Sequence, residues 1–116
     1  MEFKISITDE ADKQLQGFSA REQRIVESAV FARLRHQPML ESRAIKRLRP
    51  NPLAEFELRV GDFRVLYNVE VENSEVVLLV VGRKVGNTLV VGGVEFHGHR
   101  VDPTEPTADG PAEPVE

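Results

Sequence analysis

Cysteine is absent from the chain, which removes disulfides, thiolate metal sites and cysteine nucleophiles from consideration. Long hydrophobic runs are absent as well. The apolar stretches are far too short to span a bilayer, and Met1-Glu2-Phe3-Lys4-Ile5 lacks the extended apolar segment of a signal peptide. No membrane association and a cytoplasmic location are the resulting expectations. The last sixteen residues have neither an aromatic side chain nor a lysine or arginine, yet they hold Pro103, Pro106, Pro111 and Pro114 beside Asp102, Glu105, Asp109, Glu113 and Glu116. Ordering such a segment costs backbone entropy with little burial in return. Residues 101–116 are therefore expected to be a disordered acidic tail, and residues 1–100 one domain with a modest core.

Setting the tail aside changes the charge balance. The whole chain carries a formal net charge of −4, but all 15 basic side chains and only 14 of the 19 acids lie in residues 1–100. Distribution then matters more than the total. From Arg33 to Arg49 the chain places Arg33, Arg35, Arg43, Lys46, Arg47 and Arg49 against Glu41 alone, a local basic patch suited to a polyanion.

Periodicity places the elements. Phe3, Ile5 and Ile7 alternate with polar residues as in a half-buried strand, and Thr8 or Asp9 offers an N-cap for a short helix reaching about Gly17. Ser19 followed by Glu22 is a capping box opening a longer helix. Ile25, Val26, Ala29, Val30 and Leu34 recur at helical spacing and are expected to face the core, with Pro38 beyond the helix end. Residues 38–53 read as a connection. Three strands follow, 54–60, 63–71 and 75–83, separated by Gly61-Asp62 and Glu72-Asn73-Ser74, giving an antiparallel meander. The run 76–81 is continuously apolar and reads as a central strand buried on both faces. Thr88 to Val91, between glycines, suggests a further short strand before Phe96. The expected fold is α+β, in the order β-α-α-β-β-β, a small antiparallel sheet packed on two N-terminal helices.

The string Leu58-Arg59-Val60-Gly61-Asp62-Phe63-Arg64-Val65-Leu66-Tyr67, with Val80-Val81-Gly82-Arg83-Lys84 after it and Lys46-Arg47-Leu48 before it, resembles the sheet of the RelE/ParE toxin superfamily. The resemblance covers residues 2–85. It implies the toxin of a type II toxin–antitoxin pair, neutralised by a cognate antitoxin. It further implies one of two targets: RelE-like members cut mRNA on the ribosome and so inhibit translation, whereas ParE-like members inhibit DNA gyrase without nuclease action. A degenerate toxin-fold binding protein is a third reading.

Metal-independent RNA cleavage needs a base for the 2′-hydroxyl proton, cations for the crowded phosphate and an acid for the departing 5′ oxygen. The candidates are Arg59, Arg64 and Arg83 as phosphate-binding guanidiniums, Glu57 as a base, and His97 as a proton donor or acceptor. Lys46, Arg47, Arg49 and Lys84 are candidates for holding the RNA backbone. Structural pairing of Arg59 and Arg64 with Glu55, Glu57 or Asp62 is the competing explanation. Two departures from the RelE-like nucleases stand out. Glu55 and Glu57 occupy positions where those enzymes carry lysines, and Val90 falls near their C-terminal tyrosine. Alternation with Phe56 and Leu58 turns both acids toward solvent. Tyr67, the one tyrosine, lies in a strand interior and reads as core. His97 and His99 have no third ligand at suitable spacing, so neither a metal nor another cofactor is expected.

Overall fold

The computed structural model describes residues 2–92 and 94–96. The expected tail and His97 lie outside the described residues.

The chain opens with strand β1 (Lys4–Ile7), which runs into helix α1 (Asp9–Gln16) and helix α2 (Ala20–Leu34). Both helix starts follow from their side chains. The Thr8 hydroxyl accepts a hydrogen bond from the Ala11 backbone N–H. Ser19 and Glu22 satisfy each other's backbone donors, the complete capping box that the spacing announced. Val26, Val30 and Leu34 are buried and Ala29 packs beside them, whereas Ile25 is exposed, against its expected core position. The apolar stripe is narrower than the pattern of apolar residues suggests, because the sheet meets α2 along one row.

A short strand β2 (Ile45–Arg47) lies inside the segment expected to be a connection, and pairs antiparallel with β3 (Phe56–Val60). Then come β4 (Phe63–Glu70), a 3₁₀ turn at Val71–Asn73, β5 (Glu75–Val85), β6 (Thr88–Val91) and β7 (Val94–Phe96). The β3–β4 turn is tight because Gly61 adopts φ 58°, a conformation that residues with a Cβ rarely enter. The strands run in the order β2-β3-β4-β5-β6-β7, antiparallel throughout. β1 joins in parallel alongside residues 75–78 of β5, and β6 covers residues 83–85 on the same edge, so the complete sheet is mixed. The α+β layout of two helices on the meander is as the sequence suggests.

Phe56, Leu58, Phe63, Val65, Tyr67, Val76, Leu78 and Val81 line the helix-facing side of the sheet and form the main core with α1 and α2. A smaller apolar cluster of Leu48, Ala54 and Leu66, with Leu53, Leu79 and Val80 beside it, lies on the other side. The apolar run 76–81 is therefore fully buried on one side and half-buried on the other. Its lack of alternation has a geometric cause. The β4–β5 register shifts between Leu66, opposite Val80, and Tyr67, opposite Leu78, leaving Leu79 as an extra residue in a bulge. Among the described residues no helix is long and apolar enough to cross a membrane.

A cationic sheet face as candidate functional site

The side of the sheet away from the helices gathers most of the candidate residues. Residues directly opposite each other in an antiparallel pair share a face, and so do residues two apart along a strand. Lys46 lies opposite Glu57, Arg59 opposite Arg64, and Arg64 opposite Gly82. Glu57 and Arg59, and Gly82 and Lys84, are each two apart. Lys46, Glu57, Arg59, Arg64 and Lys84 thus occupy one face, four cationic positions and one carboxylate.

Glu57 is the centre of this arrangement and overturns the expectation of a solvent-facing acid. It is 0% exposed. The alternation with Phe56 and Leu58 is real, but the face it points to is covered: Leu66 lies opposite Glu57 on β4, and two arginines close over the carboxylate. Arg59 Nε donates to Glu57 Oε1 at 2.9 Å, and Arg64 Nε lies 3.7 Å from Oε2. Arg64 is further fixed by donating from Nη1 to the carbonyls of Gly61 at 2.7 Å and Phe63 at 2.9 Å. The hairpin turn and the acid together hold its guanidinium in one orientation. Its side chain is only 15% exposed, against 39% for Arg59, so Arg59 is the outer member of the pair. Glu55 follows a different course: it is exposed just before β3 begins and accepts a hydrogen bond from the Val69 N–H at 3.1 Å.

Arg83 is not part of this face. It lies opposite Phe63, on the helix side, where its guanidinium sits over the rings of Phe63 and Phe18 at 4.7 and 5.5 Å and bonds Glu22 of α2 at 3.0 Å. The Ser19 backbone N–H and then this guanidinium hold the Glu22 carboxyl below its ordinary range. Arg83 thus ties helix to sheet, and the strand-end cation sharing a face with Arg64 is Lys84. The bulge at Leu79 is responsible, because an extra residue reverses the facing of everything after it.

The remaining candidates divide in the same way. Arg47 lies opposite Phe56 and stacks over its ring at 4.6 Å on the helix side. Arg49 lines a cleft of about 340 Å³ with Pro50, Asn51, Leu53, Glu55 and Asn68. Polar groups of that cleft are used internally. Asn51 bonds the backbone of Arg49, Leu53 and Ala54, and the Asn68 Oδ1 accepts from the Glu55 N–H at 2.8 Å. Tyr67 is fully buried, stacks on Phe56 with ring centroids 5.4 Å apart and donates its hydroxyl to the Pro38 carbonyl at 2.5 Å. Burial pushes its phenol well above the usual tyrosine range, which suits a core residue and not a proton donor. Val90, on β6, lies opposite Arg83. Among the described residues no group of His, Asp and Glu has the makings of a metal site.

The chemical capacity of the face is anion binding by preformed guanidinium forks, with one acid already engaged. Sequence reasoning found Arg59, Arg64, Glu57, Lys46 and Lys84 but did not foresee that Glu57 is buried between the arginines. The signal was present: an acid with one arginine two residues on along its strand and another diagonally across the hairpin is placed to pair with both.

No protein-family model matches the chain, and no curated protein does. Solved structures do. A chain of the toxin–antitoxin complex RelBE2 of Mycobacterium tuberculosis is 28% identical with a TM-score of 0.63, the match covering 72% of this chain and 99% of that one. A chain of the archaeal RelE–RelB complex of Pyrococcus horikoshii has the same fold at 20% identity and a TM-score of 0.59, over 72% of this chain and 96% of that one. The class so defined is an α+β protein of two helices on a mixed sheet. The chain is thus similar in fold to RelE-type proteins of both complexes, and in sequence as well to the chain of the Mycobacterium tuberculosis toxin–antitoxin complex.

Proposed function

We propose that the chain inhibits translation by ribosome-dependent cleavage of mRNA, and that a cognate antitoxin neutralises it. The observation carrying this reading is that Lys46, Arg59, Arg64 and Lys84 share one helix-free face with a single acid, which Arg59 and Arg64 close over. A rigid sheet holding cations at fixed spacing is suited to a phosphodiester, and a transition state that crowds charge onto a phosphate needs such preorganised donors. Arg64 has the most fixed guanidinium and takes the role of phosphate stabiliser, with Arg59 beside it and Lys46 and Lys84 holding the flanking backbone. Glu57 is the acid within reach of the same phosphate and serves as the base once its arginines turn to the substrate. His97 serves as the proton donor. The antitoxin partner is proposed because both structural relatives come from toxin–antitoxin complexes.

The test is induced expression followed by mapping of mRNA 5′ ends on ribosomes, with a gyrase supercoiling assay in parallel. New 5′ ends within translated codons and unchanged supercoiling are expected. Inhibited supercoiling with intact mRNA would replace the nuclease by a gyrase inhibitor.

A further inference from the structure

Arg59 and Arg64 stand directly opposite each other on neighbouring strands. Like charges in that relation destabilise a sheet unless an anion lies between them. Here the anion comes from the chain itself. Glu57 Oε1 accepts from Arg59, and Oε2 faces Arg64 Nε at 3.7 Å, too far for a hydrogen bond. That oxygen is buried and has no hydrogen-bond partner. A buried carboxylate oxygen left in that state is costly, and the fit between Glu57 and the second guanidinium is correspondingly loose.

We propose that the Arg59–Arg64 pair is a binding site for a single phosphate group, filled in the resting chain by the Glu57 carboxylate, so that a phosphodiester enters by displacing Glu57. A phosphate offers the negative charge of the carboxylate and oxygens set wide enough to meet both forks, which the carboxylate reaches unequally. Exchange begins at Arg59, the more exposed of the two. Held on the same strand as Arg59, Glu57 competes at an effective concentration of millimolar or more, so it suppresses the capture of isolated phosphates while yielding to a substrate held by other contacts. The inference rests on the RNA-directed reading above only for the identity of the phosphate as RNA.

The experiment titrates inorganic phosphate into the full chain and into E57Q, E57D and E57Q/R64A, against sodium chloride at matched ionic strength. Binding is followed by the arginine Nε–H resonances and the melting temperature. E57Q is expected to bind phosphate about tenfold or more tightly than the parent chain, with E57D between them, and E57Q/R64A is expected to lose the gain. If E57Q unfolds without ligand, E57D makes the same comparison against the parent chain. Equal phosphate affinity in the parent chain and the folded Glu57 variants overturns the proposal, as does a gain that survives loss of Arg64. Because the readout is free phosphate, failure of mRNA cleavage with the phosphate gain intact overturns the nuclease reading alone, and cleavage without that gain overturns this inference alone.

Discussion

Tyr67 illustrates how much one side chain settles in a chain with few aromatic residues. Its ring stacks on Phe56 and its hydroxyl reaches back to the Pro38 carbonyl, so one residue joins strand, core and the segment after α2. Removing that hydroxyl leaves a buried carbonyl without its donor, and Tyr67→Phe is expected to lower the unfolding free energy by about 1–3 kcal/mol in urea titrations. A pH dependence follows from the same burial. The phenol ionises near its ordinary value of 10.0 in the unfolded chain and only at higher pH in the folded one. The unfolded state therefore loses its proton first, and stability falls as pH rises through about 10. Tyrosinate absorbance is expected to appear together with unfolding and not before it. Gly82 is constrained in the opposite sense, by space: a Cβ there would lie 2.7 Å from the Val90 carbonyl oxygen and 2.8 Å from Val91 Cγ2. Gly82→Ala must push β6 away and is expected to cost about 1–3 kcal/mol, measured the same way.

β5 organises the rest. At 11 residues it is the longest of the described strands, and its outer edge is divided between β1 and β6, leaving a gap near the Leu79 bulge. The Gln14 side chain of α1 fills part of that gap by accepting the Val81 N–H at 2.8 Å, replacing a missing strand partner with a helix side chain. Gln14→Ala is expected to destabilise the fold by about 1–3 kcal/mol and to speed hydrogen exchange at Val81 before the rest of β5. Both helix caps, the three meander strands and the turn glycine were legible, because each rests on local rules of capping, alternation and turn chemistry. β2 was not, since three residues between prolines carry too little pattern to separate a strand from a loop. The bulge was not legible either. A continuous apolar run conceals where alternation shifts by one, and that shift sends Arg83 to the helices and Lys84 to the opposite face. Simple alternation from Val76 would have grouped Arg83 with Arg64.

The two sides of the sheet differ in how their cations are engaged. Toward the helices, Arg83 joins Glu22 and two phenylalanine rings, and Arg47 covers Phe56, so these arginines contribute to stability. Away from the helices, Arg59 and Arg64 close over a buried Glu57, and Lys46 and Lys84 lie on the same face. The resemblance to RelE-type toxins was readable from the Leu58 to Tyr67 string, and the fold agrees with it. The assignment of cations to one face or the other was not readable, because it depends on strand register. The functional claim turns on that division, and it is tested most directly by comparing Arg64→Ala with Arg83→Ala in ribosome-dependent mRNA cleavage, with circular dichroism confirming the fold of each. Loss of Arg64 is expected to slow cleavage about 10²-fold or more while the fold persists. Loss of Arg83 is expected to lower the melting temperature while leaving cleavage by the folded protein near the parent rate. Cleavage that survives Arg64→Ala, or that disappears with Arg83→Ala in a fully folded protein, would contradict placing the function on the helix-free face.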